Sequence, residues 1–592
     1  MSKRKRRGWA WGAGLMVIIC GGLFAACEFR NEHADSSKSA ENASPAPKPV
    51  MAESQSEYLW EIESHGNKLA RTNYGLKAFG VALSHADWKA FEGLLAAGFQ
   101  GETLGKPYEE IHLADESCDV VRRQESGSPR QKLNRQQFID QFREFRGLFH
   151  QLPKVGIALM KLAPLRQEDM QGPWRGSCQL RMYGDTDPGK PAEVLLYLDY
   201  TVPEPTEENL TKPGWLQSAS IVQVQIAKAP RYLFRDVTAE RGIDTSKLHD
   251  NWKPGAKLRP NTGGVYLCDF NRDGILDMLV TDLNAIVLYQ GLPGGKFRDV
   301  TSEMGLPPTL QSTSESCAVV DLDGDGWEDI ILGDHIYQNL EGKGFQDVTS
   351  ICNLRLPRDG VGIAIADYDR DGRLDLYITR PGEKKKDSWL TGTSGDPNKG
   401  NQLWKNLSRP GSFHFANVTQ ESGTAAGNRS TFTAVWLDAN NDGWPDLYVI
   451  NEFGNGILLV NNGNGTFREV KMTESAGDFG SMGVTCGDID NDNNIDIYCA
   501  NMYSKAGARV IGNVMPGTYP DEIMARMRSF VKGSQLWQNR GGLKFEPMGQ
   551  KYQVAAVGWA YGPALLDLDN DGWLDLFATA GYVSQSRTEP DG

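Results

Sequence analysis

Short runs of β-branched and aromatic residues alternate with polar, glycine-rich turns through the second half of the chain. Examples are residues 265–268 and 278–281, residues 363–366 and 376–379, and residues 447–450. Their length and composition predict β-strands. Between the two runs of each pair lies a polar segment of nine residues, so the pattern predicts a strand, a loop and a second strand.

Two further runs follow each such pair except the sixth, and one more copy of the second kind, at Phe234, precedes the first pair. One is similar to Leu-Tyr-x-Asn, and the next usually reads Phe-x-Asp-Val-Thr, with the Phe at Phe234, Phe297, Phe345, Phe415, Phe467 and Phe545. Four short strands in a repeat of about 50 residues predict a β-propeller blade. We therefore expect a mainly β fold over residues 229–592, with six recognisable blades and seven as the alternative.

The nine-residue segment occurs six times and always has the same acidic positions. It carries Asp at positions 1, 5 and 9, Asp or Asn at position 3, and Gly or Asn at position 6. With the carbonyl of position 7, these side chains would place six or seven hard oxygens around one cation, which is the ligand set of calcium. The predicted ligands are Asp269, Asn271, Asp273, Ile275 and Asp277; Asp321, Asp323, Asp325, Trp327 and Asp329; Asp367, Asp369, Asp371, Arg373 and Asp375; Asp438, Asn440, Asp442, Trp444 and Asp446; Asp488, Asp490, Asp492, Asn494 and Asp496; and Asp567, Asp569, Asp571, Trp573 and Asp575.

The alternative is that these segments are only polar turns, but a turn has no use for four carboxylates in one register. The formal net charge of −14 agrees with metal binding, since six calcium ions would leave about −2. We expect the metal-free repeats to be markedly destabilised. The acidic total therefore does not indicate a basic partner.

The repeats resemble the FG-GAP or VCBS repeat propellers over about residues 230–580. The residue pattern of the repeats is most similar to that of bacterial relatives of cartilage acidic protein, which often end in an ASPIC/UnbV segment. The resemblance implies a calcium loop between the first and second strands of each blade. The sixth unit lacks the third and fourth runs, and the unpaired run at Phe234 is a candidate for the missing outer strand.

The N-terminus has the features of an export signal. A basic stretch at residues 3–7 precedes 19 uncharged residues, 8–26, and the end at Cys27 resembles a bacterial lipobox. We expect residues 1–27 to be a signal peptide with Cys27 lipidated, so that the protein is exported and anchored in a bacterial membrane facing the periplasm or the cell surface. An uncleaved membrane anchor is the alternative. Residues 28–59 are predicted to be a disordered tether.

Residues 60–228 lack the acidic loops and predict a small α+β domain. Helical spacing at residues 76–83, 88–95 and 138–149 is followed by strand-like runs at 155–159, 178–183, 194–200 and 218–226. This order resembles an NTF2-like (SnoaL-like) domain, whose pocket holds an acid/base carboxylate in some members. The ionisable candidates for such a pocket are His112, Asp115, Glu116 and His150, although their spacing marks no pair and favours surface positions.

Two long insertions, residues 380–401 and 502–534, and the link 248–260 are rich in cations and aromatic residues. In an antiparallel blade they would lie on the face opposite the calcium loops. This face is a candidate platform for an anionic ligand, and the alternative is ordinary solvated loops. The candidate residues are Trp252, Lys384, Lys385, Lys386, Trp389, Arg509, Arg526 and Arg528.

No hydrolase, phosphate-loop or dinucleotide motif is present, so the sequence gives no support for catalysis. We expect a calcium-stabilised surface protein that binds a glycan or protein partner, not nucleic acid. The alternatives are an exported enzyme or enzyme-accessory protein using the NTF2-like pocket, and a structural scaffold. Cys486 and Cys499 flank the fifth loop and predict either a disulfide or two separate thiols.

Overall fold

In the computed structural model, the described part of the protein is residues 53–580, with gaps at 72–73, 115–116, 167–168, 252, 254–262, 284, 310–316, 358–359, 382–399, 428, 473–479, 503–504, 515–516 and 559. The chain forms two compact units. The N-terminal unit contains Met1–Asp236, Ser504–Asp521 and Ser584–Gly592, and the repeat unit contains Val237–Tyr503 and Glu522–Val583. The predicted signal peptide, Cys27 and tether residues up to 52 lie outside the described residues. None of the described helices is both long and apolar enough to span a bilayer.

The N-terminal unit contains helices and one sheet, but four strands of the sheet come before the fourth helix instead of after it. Its first five helices are α1 (Glu53–Arg71), α2 (Leu76–Ser84), α3 (Trp88–Leu94), α4 (Arg135–Gly147) and α5 (Glu207–Thr211). Its strands are β1 (Leu95–Thr103), β2 (Glu109–Ala114), β3 (Asp119–Gln124), β4 (Gln131–Leu133), β5 (Lys154–Pro164), β6 (Trp174–Asp187), β7 (Lys190–Val202) and β8 (Leu216–Lys228). The sheet order is β2-β3-β8-β7-β6-β5, and β1 pairs with β4 and with β8.

Three details of this unit differ from the prediction. Helix α1 begins at Glu53, inside the predicted tether, because Leu59 and Ile62 are buried and anchor its first turns. Helix α4 begins before the apolar run because Asn134 and Gln137 form a capping box. Strands β1, β2, β3 and β4 were not predicted, and β1 pairs with β8 in parallel although the rest of the sheet is antiparallel.

The repeat unit consists of small antiparallel sheets in chain order. The first two sheets are β9 (Gly264–Cys268), β10 (Asp277–Asp282), β11 (Ala285–Leu292) and β12 (Lys296–Asp299), then β13 (Cys317–Val320), β14 (Asp329–Leu332), β15 (His335–Asn339) and β16 (Phe345–Asp347). The third and fourth are β17 (Gly362–Ala366), β18 (Asp375–Thr379), β19 (Gln402–Asn406) and β20 (Phe415–Asn417), then β21 (Ser430–Leu437), β22 (Asp446–Phe453), β23 (Ile457–Asn461) and β24 (Phe467–Val470). The fifth is β25 (Ser481–Gly487), β26 (Asp496–Asn501), β27 (Gln535–Asn539) and β28 (Phe545–Pro547), and the sixth has β29 (Ala560–Leu566) and β30 (Asp575–Ala580).

Except for the run at Phe234, each predicted strand run of the repeats falls on an observed strand, and the first strand of each sheet contacts the first strand of the next. A 3₁₀ turn (Thr245–Lys247) precedes the first sheet, and helix α6 (Thr419–Ser422) follows the third. Between β26 and β27 lie α7 (Lys505–Gly512), which belongs to the N-terminal unit, and α8 (Asp521–Phe530), nearly all of which belongs to the repeat unit.

In the first three sheets the Thr at the end of the Phe-x-Asp-Val-Thr or Phe-x-Asn-Val-Thr motif links the fourth strand to the third through hydrogen bonds, whereas the corresponding runs of the fourth and fifth sheets have no Thr. In the first sheet the hydroxyl of Thr301 donates to Asp299 and accepts the backbone N–H of Leu288 on β11. Thr419 does the same in the third sheet, with Asn417 and Leu403. The motif therefore joins the fourth strand to the third, which explains why it recurs at the same interval as the acidic loops.

The prediction that the run at Phe234 supplies a missing outer strand is wrong. Residues 229–236 contain no strand, and the Phe234 side chain is 64% exposed. Cys486 and Cys499 are separate thiols. The register places Ile497 opposite Cys486 and Val484 opposite Cys499, so the two sulfur atoms do not face one another across the strand pair.

Candidate metal centres

All six acidic loops join the first strand of a sheet to the second. Position 6 has a left-handed backbone in every copy, including Asn493 with φ of 67°, as the sequence predicts. Position 4 is also left-handed, which the sequence analysis missed, with φ between 55° and 61° at Arg272, Arg370, Asn441, Asn491 and Asn570, and 75° at Gly324. The recurrence of Asn and Gly at this position was the available signal, because these residues tolerate positive φ.

In each loop the carboxylates at positions 1 and 5 accept hydrogen bonds from backbone N–H groups of the same loop. In the third loop Asp367 accepts the backbone N–H groups of Asp371 and Gly372, both at 2.9 Å. Asp371 accepts the N–H of Arg373 at 3.1 Å. Equivalent bonds recur in the first, second, fourth, fifth and sixth loops. The loop backbone thus turns its carboxylate oxygens towards one point.

Four loops bring three carboxylates together, with one oxygen of each within 4.8 Å of the others. These triplets are Asp321, Asp323 and Asp325; Asp367, Asp369 and Asp371; Asp488, Asp490 and Asp492; and Asp567, Asp569 and Asp571. In addition, one oxygen each of Asp369 and Asp490 is buried and accepts no hydrogen bond within the described part of the chain. Calcium binds oxygens at about 2.3–2.6 Å, so the spacing and the unpaired oxygens fit such an ion. The first and fourth loops carry Asn271 and Asn440 in place of the middle Asp.

The carboxylate at position 9 is completely buried in the first five loops. In the second loop Asp329 accepts the N–H groups of Leu322 at position 2 and of Asn339 on the third strand, at 3.0 and 2.9 Å. Burial, with repulsion from Asp323 and Asp325, raises the pKa of Asp329 to about 7. The pKa of Asp375 is raised to about 7 and those of Asp277, Asp446 and Asp496 to about 6, again chiefly by burial. A bound cation would oppose these shifts in pKa, because it favours the charged form.

In the second to fifth sheets an asparagine at the end of the third strand connects successive loops, a role that the sequence did not indicate. The side-chain amide of Asn406 donates to the carbonyl of Leu374 in its own loop, at 3.0 Å, and to that of Leu322 in the preceding loop, at 2.8 Å. The same pair of bonds is made by Asn339, Asn461 and Asn539. In the first sheet the equivalent residue is Gly291, where an added Cβ would lie 2.2 Å from the carbonyl of Leu276.

Neighbouring loops also touch through their surface residues. The guanidinium of Arg272 donates to the carbonyl of Gly326 and lies over the ring of Trp327, 4.9 Å from its centroid. Asn441 donates to Asn493 and Asn491 donates to Gly572, so these contacts join the fourth, fifth and sixth loops. These contacts place neighbouring loops on one side of their sheets.

Only part of the expected cationic face can be located. Trp252, Lys384, Lys385, Lys386 and Trp389 lie outside the described residues. On α8, Arg528 is exposed, and Arg526 is half-buried and pairs with Glu522 at 2.7 Å.

Arg509 is not a surface cation, so its assignment to this face is wrong. It is 7% exposed and its guanidinium pairs with Glu63 of α1 at 2.5 Å. It also donates to the carbonyl of Leu159, and Asn513 donates to that of Leu162. Helix α7 thus packs within the N-terminal unit, because these two side chains satisfy carbonyls of β5.

The pocket candidates of the N-terminal unit do not converge. His112 is exposed on β2 and lies 2.9 Å from Glu110, and His150 is exposed after α4. Asp115 and Glu116 lie outside the described residues.

Residues 269–332 and 438–499 match the FG-GAP-like repeat family. The first match runs from the first loop to the end of β14, and the second runs from the fourth loop into β26. No curated protein matches the chain. The chain therefore contains FG-GAP-like repeats, in agreement with the resemblance inferred from its motifs.

Proposed function

We propose that the repeat unit is a calcium-binding β-propeller whose loop ions hold its blades in place. The observation that carries this proposal is the set of carboxylate triplets whose oxygens lie within 4.8 Å of one another. The contacts between successive first strands support the propeller arrangement. The calcium would be held by the residues at positions 1, 3, 5, 7 and 9, and its charge would neutralise carboxylates that otherwise repel.

This proposal is tested by the double variant Asp323→Ala and Asp325→Ala. The variant should bind one calcium ion fewer than the parent and melt at a lower temperature in calcium. Loss of an ion present at 100 times its dissociation constant costs about 2.7 kcal/mol. As a matched control, Asp185→Ala with Asp187→Ala removes two acids of β6 and should leave the calcium stoichiometry unchanged. A parent protein whose melting temperature is insensitive to a chelator would contradict the proposal.

We further propose that the protein is exported, with a lipid on Cys27, and binds an anionic glycan or an acidic protein surface. The basic, apolar and lipobox-like segments of residues 3–27 support export. Within each antiparallel sheet, the connection between the second and third strands lies at the end opposite the acidic loop. The insertions 380–401 and 502–534 are such connections, and the exposed cations Arg528 and Lys532 lie in the second.

The ligand hypothesis is tested with a glycan array and the full-length protein. Replacement of Lys384, Lys385 and Lys386 by Glu should abolish binding without changing the calcium content. A control with the same charge change replaces Lys77, Lys89 and Lys132, three exposed residues of the N-terminal unit, and should bind as the parent does. Binding by the parent should also weaken as salt is added, since salt screens exposed charges. Full binding by the first variant would place the ligand elsewhere.

A further inference from the structure

The third loop differs from the others in the residue that precedes its strand-three asparagine. In the second sheet this residue is Gln338, whose amide donates to Asp323 at 3.2 Å. In the fifth sheet it is Gln538, whose amide donates to Asp490. In the third sheet the same position holds Lys405. A neutral amide in two loops is thus replaced by a permanent cation in the third.

The ammonium group of Lys405 lies among the predicted ligands. It pairs with Asp369 at position 3, and its distance to the Oδ2 atom of Asp371 at position 5 is 3.2 Å. A second cation, Arg373 at position 7, pairs with the same oxygen of Asp371 at 2.6 Å. Lys405 is only 26% exposed and Asp369 only 16%, so water screens this pair less than an exposed one.

The charge balance of the third loop is therefore unlike that of the second and fifth. All three loops have four Asp residues at ligand positions. In the second and fifth loops the amide of a Gln donates to the carboxylate at position 3, and the ion-pair partner of Asp490 in the fifth loop, Arg540, lies 3.9 Å away. In the third loop Lys405 and Arg373 bring two positive charges into closer contact with Asp369 and Asp371. A calcium ion in the third loop would meet the like charge of Lys405, which already pairs with one oxygen of Asp369.

We propose that the ammonium group of Lys405 is the resident cation of the third loop, which is ordered without calcium and binds the ion more weakly than the second and fifth loops. The inference rests on the proposed calcium function. The acidic loops would then be of two kinds: loops that need calcium to be ordered, and one loop that is ordered by the ammonium group of an internal lysine. Calcium depletion would then loosen the loops of the neighbouring sheets while leaving the loop between β17 and β18 intact.

Hydrogen exchange on the unaltered full-length protein gives the first test. The backbone N–H groups of Asp371 and Gly372 in the third loop are compared with those of Asp325 and Gly326 in the second and of Asp492 and Asn493 in the fifth. On addition of a chelator, we expect the second and fifth loops to lose protection and the third to keep it. Equal loss of protection in all three loops would overturn the inference.

A reciprocal exchange of side chains gives the second test, read by calorimetric titration and by native mass spectrometry with calcium alone. Lys405→Gln should strengthen calcium binding at the third loop by about tenfold or more, because one opposing charge next to the site is removed. Gln338→Lys should weaken the second loop by a similar factor, and Lys405→Arg, which keeps the charge, should behave as the parent does. Unchanged affinities in both of the first two variants would refute the role of Lys405.

The failure of the inference can be told apart from the failure of the proposed function. Six equal sites in the parent would overturn the inference alone, since calcium would then displace Lys405 without penalty. A parent that binds no calcium at all would overturn the proposed function and, with it, the inference. A gain of calcium affinity in Lys405→Gln at the third loop supports both.

Discussion

The two units of the protein are stabilised by different means. The N-terminal unit buries one continuous apolar cluster that includes residues from its helices and its sheet, such as Phe138 and Trp174. The buried apolar residues of the repeat unit fall into separate clusters, and a completely buried carboxylate lies at the end of each of the first five loops. Apolar burial depends little on pH or on metal ions, whereas buried carboxylates depend on both. Changes of pH and calcium concentration should therefore affect the stability of the repeat unit more than that of the N-terminal unit.

The largest expected effect is a reversal of the pH dependence of the repeat unit when calcium is removed. The pKa values of Asp329 and Asp375 are raised to about 7 and those of Asp277, Asp446 and Asp496 to about 6, against 3.8 for an ordinary Asp. A raised pKa means that the fold prefers the protonated form. Its stabilising contribution is complete below about pH 4 and is lost as the pH rises through 6 to 7, at about 1.4 kcal/mol for each pKa unit.

Calorimetry at pH 5 and pH 8 measures this effect. In protein stripped of calcium, the melting temperature of the repeat unit should be higher at pH 5. In excess calcium it should be higher at pH 8, because the ion binds ionised carboxylates. The transition of the N-terminal unit should change less in both cases. The same direction of change with and without calcium would remove the proposed difference between the units.

The next effect concerns the N-terminal unit alone and uses the buried pair of Arg509 and Glu63. Arg509→Ala should cost about 3–5 kcal/mol, since it leaves the carboxylate of Glu63 buried without its partner. Replacing both residues, Arg509→Met with Glu63→Leu, should restore most of the stability. The control Arg526→Ala breaks the exposed pair with Glu522 and should cost less than about 0.5 kcal/mol. Equal losses for Arg509→Ala and Arg526→Ala in urea unfolding would contradict this reading.

The sequence predicted the repeats well because their spacing is local. Strands, loop positions and the left-handed residue at position 6 all follow from residues within one unit, and the structure has them at the expected places. Lys405 pairs with Asp369 of its own repeat, but across an insertion and 36 residues away. The roles of Arg509 and the strand-three asparagines depend on partners outside their repeat, 446 residues away for Glu63 and 84 for Leu322. No pattern within one unit shows such partners, and a cationic insertion does not show which of its cations is buried. Strand β1 was missed for another reason, since its Ala- and Gly-rich start has low β-propensity.

The smallest effect tests whether the loops of the repeat unit support one another through these asparagines. Asn406 is 1% exposed, and its amide links the carbonyl of Leu374 in its own loop to that of Leu322 in the loop before. Asn406→Ala should cost about 1–3 kcal/mol, because buried carbonyls lose their donor. It should also weaken calcium binding at the second loop, which contains Leu322 and whose own ligands are unchanged. Asn462, the exposed residue after the equivalent Asn461 of the fourth sheet, bonds to Thr466 within its turn and provides the control, and Asn462→Ala should change stability by less than about 0.5 kcal/mol. Calcium titration of the two variants decides the matter: if Asn406→Ala destabilises the protein but leaves the second loop with its full affinity, the asparagines join the sheets without coupling their metal sites.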